Sequence, residues 1–163
     1  MFTGKVKGLF PTGEDFRNMI PAIRRGTALG SALGILPGGG AMLASFAAYT
    51  VEKKTKLRKG EVPFGQGNIR GVAAPESANN AAACGSFVPM LAMGIPGSVT
   101  TAVLMGVMIM FGIQPGPRMI DEHPQLFWGV INSMYVGDVM LLIINLPLIG
   151  LFVRLLSTPT GVL

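Results

Sequence analysis

Two proline–glycine motifs interrupt apolar segments that are each long enough to enter a membrane. The first is Leu36-Pro37-Gly38-Gly39-Gly40, and the second is Gly94-Ile95-Pro96-Gly97-Ser98. Proline and glycine disrupt the helical hydrogen-bond ladder and expose backbone polar groups, which hydrocarbon cannot satisfy. Irregular backbone at membrane depth is therefore confined to places where protein or a water-filled cavity surrounds it, and in transporters this is where the solute binds.

The composition favours a membrane protein over a soluble domain. Of the 163 residues, 50% are hydrophobic and 13% are charged, against roughly 25% charged in a soluble domain. The formal charge of +5 does not indicate a nucleic-acid partner, because the basic residues form short clusters between apolar runs and aromatic residues are sparse. Such clusters are typical of the flanks of membrane segments in contact with a lipid bilayer. The single cysteine, Cys84, excludes an intramolecular disulfide and a cysteine-based metal cage.

Residues 1–25 are expected to form an interfacial N-terminal segment. Thr12 and Asp15 have the spacing of a helix N-cap and its reciprocal partner, and an amphipathic stretch follows them. Residues 26–51 are apolar and are expected to form a broken helix or a hairpin. Gly26, Gly30 and Gly34 recur every four residues ahead of the first break. This spacing is typical of close helix packing, and it also leads directly into a candidate binding turn.

The first break is a candidate anion site. The amides around Pro37, Gly38 and Gly40 precede a new helix, expected to start near Ala41, whose N-terminus carries partial positive charge. Amides that lack intrahelical partners bind anions in this setting. The alternative is that the glycines only permit close packing.

Basic residues flank the first apolar segment on both sides. Arg24 and Arg25 precede it, and a cluster follows it: Lys53, Lys54, Lys56, Arg58 and Lys59. Each half of the segment gives about 16 Å of helix, which is roughly half of a 30 Å hydrocarbon core. A re-entrant hairpin with both ends in the cytoplasm fits this pattern, and a single broken crossing helix is the alternative.

Residues 52–76 are expected to form a cytoplasmic connector, irregular where glycine and proline are frequent. The connector ends in a polar sequence, Pro75-Glu76-Ser77-Ala78-Asn79-Asn80. Ser77, Asn79 and Asn80 offer groups that bind a sodium ion through oxygen or a carboxylate through N–H. The alternative role for any one of them is helix N-capping.

Residues 77–113 are expected to form a second broken helix or hairpin. Its break places Gly97, Ser98 and Thr101 at the start of a new helix. We expect the two hydroxyls near the solute, the alternative being hydrogen bonds to their own helix. The two breaks share an apolar-Pro-Gly-small pattern, and interruptions in corresponding positions indicate a transporter binding site.

The remaining residues are predicted to form a loop over 114–125 and a transmembrane helix over 126–156. The loop contains the only histidine, His123, which we expect to be solvated because no second metal-type ligand has suitable spacing. The helix contains Asp138, a candidate intramembrane acid, because ionisable groups at membrane depth are costly and usually functional. Otherwise Asp138 approaches the interface or pairs with another helix.

Several motifs, in order, resemble the large membrane subunit of the tripartite tricarboxylate transporters, the TctA family. The most specific is Ala74-Pro75-Glu76-Ser77-Ala78-Asn79-Asn80. The others are Gly34-Ile35-Leu36-Pro37-Gly38-Gly39-Gly40, Phe64-Gly65-Gln66-Gly67, Gly94-Ile95-Pro96-Gly97-Ser98 and Gly112-Ile113-Gln114-Pro115-Gly116-Pro117. The resemblance covers nearly all of the chain. Members of this family are much longer and consist of two related halves, and this chain resembles part of the second half.

The resemblance implies a multi-pass permease of the bacterial inner membrane. Such a permease works with a small four-helix membrane subunit and a periplasmic solute-binding protein, and it imports citrate or related carboxylates with an ion gradient, typically of sodium. No other cofactor is implied. The motif positions that it marks for substrate or ion binding are Pro37, Gly38, Gly40, Ser77, Asn79, Asn80, Gly97, Ser98 and Thr101. Asp138 departs from the family pattern, in which we expect asparagine.

Together these observations predict an all-α integral membrane protein, a partial transporter domain whose transmembrane and re-entrant helices are interrupted at two Pro-Gly motifs. Two other classes remain: a membrane scaffold or assembly subunit, in which the breaks are packing devices, and a membrane-embedded enzyme. The sequence disfavours an enzyme, because it lacks the G-x-x-x-x-G-K-[ST], G-x-S-x-G and H-E-x-x-H motifs.

Overall fold

The computed structural model describes residues 11–58 and 60–156, with side chains as far as residue 152. The first part of the expected interfacial segment, residues 1–10, and Lys59 lie outside the described residues. Every regular element within them is a helix, which confirms the all-α class: α1 Gly13–Ile35, α2 Gly40–Lys53, α3 Arg70–Gly85, α4 Phe87–Met93, α5 Val99–Met110, α6 Met119–Glu122 and α7 Pro124–Leu156. Two compact units contain them, one spanning Thr12–Glu122 and the other containing α7.

α1 begins with the predicted capping box. The Asp15 N–H donates to Thr12 Oγ1 at 3.2 Å, and the Thr12 N–H donates to Asp15 Oδ2 at 2.8 Å. Hydrogen bonds from the Thr12 side chain and backbone lower the pKa of Asp15. The helix then continues through Arg24 and Arg25 for 23 residues. One helix therefore joins the two segments that we expected to separate at residue 25, because arginine is a good helix former.

The glycine row of α1 packs directly on the backbone of α3. Three pairs form this interface: Gly26–Ala74, Gly30–Ala78 and Gly34–Ala82. A Cβ atom on the glycine would lie only 2.3, 2.3 and 2.5 Å from the respective alanine carbonyl oxygens. The residue numbers rise together along the pairs, so the two helices run parallel. Close packing, one of the two roles considered for the glycine row, is therefore confirmed.

α2 returns along α1 and completes a three-helix core. Ala44 and Ala48 are buried and cluster with Ala78 and Ala82 of α3. The Ser45 hydroxyl donates to the carbonyl oxygen of Pro75 at 3.2 Å. The core is thus made of small side chains, which let the helix backbones approach one another closely.

α3 begins at Arg70, inside the stretch that we expected to remain irregular as far as residue 76. Asn68 supports this start, because its Oδ1 accepts a hydrogen bond from the Arg70 N–H at 2.9 Å. Pro75 lies inside the helix. It removes one hydrogen bond of the ladder, and the alanine contacts with α1 and α2 hold the segment helical nonetheless. Residues 70–76 are therefore helical rather than irregular.

The second break separates α4 from α5. Gly94 ends α4 in the left-handed conformation, with φ of 69°, and a Cβ atom there would lie 2.7 Å from the carbonyl oxygen of Pro115. The connection after α5 therefore packs against the break. The expected loop over 114–125 contains the single-turn helix α6, in which Met119 is buried.

α7 is the one helix among the described residues that is long and apolar enough to cross a membrane. The qualifying stretch, Pro124–Phe152, has 29 residues and a mean hydropathy of 1.9. It begins two residues before the expected start at 126, because Pro124 suits the first turn of a helix. Pro147 lies inside it. The shorter α5 is also apolar.

Candidate functional site at the two helix breaks

The first break needs glycine for its backbone conformation. Gly38 and Gly40 have φ of 84° and 63°, a region that L side chains rarely adopt. Pro37 and Gly38 are exposed. No side-chain hydrogen bond caps the start of α2 at Gly39. The N–H groups of the first turn of α2 therefore keep the donor capacity that an anion uses.

The second break is closed by local hydrogen bonds. The Thr101 N–H donates to Ser98 Oγ at 3.2 Å, and the Ser98 N–H donates to Thr101 Oγ1 at 2.9 Å, which forms a capping box at the start of α5. Thr101 is fully buried, and its hydroxyl also donates to the Ser98 carbonyl oxygen at 2.9 Å. The two hydroxyls that we expected near the solute thus have partners in their own helix.

Ser86, at the junction of α3 and α4, contacts the second break. A Cβ atom on Gly97 would lie 3.1 Å from Ser86 Cβ and 3.2 Å from the Ser86 carbonyl oxygen. The hydroxyl oxygens of Ser86 and Ser98 lie 3.4 Å apart. The close approach of Ser86, and not the φ angle of Gly97, therefore favours glycine at position 97, because an added Cβ atom would require Ser86 to shift by a few tenths of an ångström. The sequence analysis did not identify Ser86, since serine inside an apolar stretch carries no distinctive signal.

The α3–α4 junction also lies against the end of α1 that leads into the first break. A Cβ atom on Gly85 would lie 3.3 Å from the Gly34 backbone and from the carbonyl oxygen of Ser31. Gly34 is three residues before Pro37. The end of α1 that leads into the first break and Gly97 of the second break thus both pack against the same junction, Gly85-Ser86. We call the set of Gly34–Gly40, Gly85-Ser86 and Gly97–Thr101 the break cluster.

The polar residues of α3 lie apart from the break cluster. Ser77 faces α1, where its hydroxyl contacts the carbonyl oxygens of Ala74 at 3.0 Å and Ile23 at 3.3 Å. Asn79 and Asn80 are exposed, and Asn80 Nδ2 donates to the carbonyl oxygen of Glu76 at 3.0 Å. Ser77 therefore contributes to helix packing, and the asparagine pair lies on the open face of α3, about two turns before the junction.

A buried ionic network joins the three core helices at the end remote from the breaks. The carboxylate of Glu52, fully buried, accepts hydrogen bonds from Arg25 Nε at 2.8 Å, from Arg25 Nη2 at 2.7 Å and from Arg70 Nε at 2.7 Å. Burial opposes ionisation of Glu52, but the hydrogen bonds from the two arginines outweigh it, so the pKa of Glu52 is lowered. The hydrogen bond to Glu52 in turn raises the pKa of Arg25.

Arg70 extends the network into the segment between α2 and α3. Its Nη1 contacts Glu61 Oε2 at 2.8 Å, its Nη2 donates to the Thr55 hydroxyl, and its guanidinium lies 5.6 Å from the ring centre of Phe64. The sequence analysis missed this network, because the partners are far apart in the chain. One sequence signal could have indicated that Glu52 and Arg70 are buried. Each continues, at four-residue spacing, the row of small buried residues on its own helix.

A polar cavity of about 860 Å³ lies between the start of α1 and the 58–69 segment. Basic and acidic side chains both line it, among them Arg17, Arg58, Glu14 and Glu61. Glu61 Oε1 is buried and has no hydrogen-bond partner among the described residues. The three carboxylates of the lining outnumber its two arginines and would repel a di- or tricarboxylate, whereas the break cluster contains no acidic side chain. The cavity is therefore a poorer candidate for a carboxylate site than the break cluster.

The two ionisable residues that the sequence analysis singled out near α7 are both exposed. His123 directly precedes the helix, and Asp138 lies within it. No group of three or more metal-binding side chains that could hold a metal ion occurs among the described residues. Nothing in the structure tests a role for Asp138 in transport.

Comparison with known proteins identifies the family. The model of the tripartite tricarboxylate transporter TctA family matches residues 2–163 of this chain. The chain belongs to the TctA family. The resemblance drawn from the motifs is thereby confirmed, and with it the coarse assignment to a family of transporter components.

Two proteins of Agrobacterium vitis are similar to this TctA-family chain. An uncharacterized 52.8 kDa protein in the TAR-I ttuC' 3' region is 53% identical over 155 residues, which are 95% of this chain and 30% of that protein. An uncharacterized protein in the TAR-II ttuC' 3' region is 56% identical over 130 residues, which are 80% of this chain and 53% of that protein. The chain thus spans only about a third to a half of the length of these relatives. No solved structure matches it.

Proposed function

We propose that this chain is part of the membrane permease subunit of a binding-protein-dependent secondary transporter. The permease imports tricarboxylates such as citrate, or related carboxylates, and an ion gradient drives it. The observation that carries the proposal is the break cluster, in which both interrupted helices of a TctA-family chain approach one junction. Interrupted helices that converge in this way are where secondary transporters bind solute and coupling ion.

The chemistry of the break cluster suits a carboxylate and a cation. The start of α2 has no side-chain cap, so its N–H groups and the positive end of its helix favour a carboxylate. The carbonyl and hydroxyl oxygens of Ser86, Ser98 and Thr101 are hard ligands of the type that sodium prefers. We assign the solute to the side of Pro37, Gly38 and Gly40, and a coupling ion to the side of Gly97.

The family supports the remaining parts of the proposal. We propose that the chain lies in the bacterial inner membrane as part of a multi-pass protein. A tripartite transporter has further components, and we propose that these are a small four-helix membrane subunit and a periplasmic solute-binding protein. We propose Asn79 and Asn80 as additional binding residues on the open face of α3, separate from the break cluster, and Ser77 fixes α3 on α1.

Uptake by the intact transporter tests the proposal. Gly97→Val in the full-length protein, expressed with its partner subunits, is expected to abolish uptake of radiolabelled citrate, because the new side chain overlaps Ser86. Membrane insertion should remain normal on an immunoblot. Gly106→Ala is the matched control, since Gly106 lies in α5 with no atom near its Cβ position, and its uptake should equal that of the wild type.

A membrane scaffold is the second candidate, and the capping of Ser98 and Thr101 favours it, since these hydroxyls already have partners. If the breaks are only packing devices, Gly97→Val will prevent assembly with the partner subunits and lower the amount of protein in the membrane. Normal uptake by a correctly inserted Gly97→Val protein would contradict the assigned site.

A further inference from the structure

The packing between the α1–α2 hairpin and α3 repeats every four residues. On α1 the glycines of the row meet three alanines of α3 in sequence: Gly26–Ala74, Gly30–Ala78 and Gly34–Ala82. Four residues of helix correspond to about 6 Å along the axis. If the hairpin moved by one turn toward the start of α1, Gly30 would meet Ala74 and Gly34 would meet Ala78. Two of the three close contacts would then form again between identical residue types.

The second helix of the hairpin has the same repeat. Gly40, Ala44 and Ala48 follow one another at four-residue spacing, and all are small. Movement in the opposite direction is excluded, because it would bring Ala22 to Ala74, where a Cβ atom overlaps the carbonyl oxygen. Close packing of small residues therefore allows two axial registers. One is the register of the structure, and in the other the hairpin lies one turn further toward the start of α1.

The ionic network does not repeat along the helices. Arg70 of α3 contacts Glu52 of the hairpin at 2.7 Å, and both side chains are at most 4% exposed. A displacement of about 6 Å would break this buried pair, leaving Arg70 with Glu61 and Glu52 with Arg25. Arg25 also pairs with Glu52, but both residues lie on the hairpin and would move together. The segment between α2 and α3 spans residues 54–69, which is long enough to follow the movement.

We propose that Glu52 and Arg70 are positioning residues that set the axial register of the α1–α2 hairpin on α3. The first break lies on the hairpin, whereas Ser86 and the second break follow α3. The Glu52–Arg70 pair therefore determines how closely the two breaks approach, from the opposite end of the core. The consequence for transport rests on the proposed function, but the register itself does not.

Distance measurement between two spin labels tests the register. One label is attached to Cys84 at the end of α3, and the other to Ile20→Cys on α1; both positions are exposed. The full-length protein is used in lipid nanodiscs, with any cysteine outside this chain replaced. The labelled positions are separated by about 24 Å along the helix axis in the present register. A one-turn displacement would lengthen this separation by about 6 Å.

Arg70→Gln and Glu52→Gln are expected to add a second, longer distance population, while the protein with native charges shows one. Arg25→Gln is the matched comparison, because it removes a pair within the hairpin and should keep the single native distance. Arg24→Gln controls for the loss of an exposed charge next to it. A single native distance in both Arg70→Gln and Glu52→Gln would overturn the proposal, because packing alone would then define the register.

Loss of helical content in both Arg70→Gln and Glu52→Gln, seen by circular dichroism, would also overturn the proposal. The proposal requires the small-residue packing to hold the helices together without the Glu52–Arg70 pair.

Citrate uptake separates this inference from the proposed function. A shifted distance with normal uptake would retain the register claim and contradict the assignment of the solute to the break cluster. A single native distance in Arg70→Gln and Glu52→Gln, together with abolished uptake by Gly97→Val, would contradict the register claim and support the proposed function.

Discussion

At the scale of single residues, the glycines of the two breaks are required for different physical reasons. Gly38 and Gly40 have open space at the Cβ position and need glycine for a positive φ. Gly97 has no such conformational requirement, but Ser86 lies so close that it would have to shift to admit a side chain. The sequence motif is the same at both breaks, so this difference could not be predicted from it. It follows from the way in which each break packs.

This difference predicts distinct effects of alanine substitution. Gly38→Ala should lower the free energy of unfolding by about 1–2 kcal/mol, because the alanine is forced into the left-handed region. Gly106→Ala, in the middle of α5 with open space around it, should raise stability by up to about 1 kcal/mol. Thermal unfolding of the purified protein in detergent measures both. Equal melting temperatures for the two variants would contradict the backbone account of Gly38.

At the scale of elements, the sequence predicted features that depend on neighbouring residues. The Thr12–Asp15 capping box and the two helix interruptions follow from local chemistry, and the structure contains them. The start of α3 at Arg70 was not predicted, because Gly71 and Pro75 suggested irregular backbone where packing on α1 and α2 holds a helix. The Glu52 network was not predicted either, because its partners come together only when three helices assemble.

The network makes the stability of the three-helix core dependent on pH. The pKa of Glu52 is lower in the folded protein than in the unfolded chain. The pKa of an unperturbed glutamate is about 4.3. The stabilising contribution of Glu52 is therefore complete above that value and is lost as the pH falls through the lower, folded pKa. Glu52→Gln should remove this acid-dependent part.

The measurement is the melting temperature of wild type and Glu52→Gln between pH 7 and pH 3. At neutral pH Glu52→Gln should cost about 3 kcal/mol, since it removes the carboxylate that Arg25 and Arg70 share and leaves buried Arg70 with Glu61 alone. Glu122→Gln is the control, because Glu122 forms an exposed pair with Arg118 and should change stability by less than about 1 kcal/mol. A Glu52→Gln protein as stable as the control would show that the network does not hold the core.

At the scale of the whole molecule, the Thr12–Glu122 unit has two distinct ends. One end carries the ionic network of Arg25, Glu52 and Arg70, and the other carries the break cluster, with small-residue packing between them. The composition and the helix breaks predicted the all-helical membrane class, and the motifs predicted the family. Both predictions need only residue types and short runs of neighbouring residues, and no knowledge of how the helices pack. The packing of both the end of α1 and the second break against Gly85-Ser86 could not be predicted, since it depends on the parallel arrangement of α1 and α3.

The central claim, that the two breaks form one site for a carboxylate and its coupling ion, is tested most directly by protection of engineered cysteines. Leu36→Cys and Thr100→Cys place a thiol beside each break at exposed positions, and Met110→Cys at the exposed end of α5 is the control. Each is made in the full-length transporter with Cys84→Ala, and its labelling rate by a soluble maleimide is measured with and without citrate, succinate or benzoate. The account predicts that one of these carboxylates slows labelling at both breaks and leaves Met110→Cys unchanged. Labelling rates at Leu36→Cys and Thr100→Cys that no carboxylate alters would contradict it.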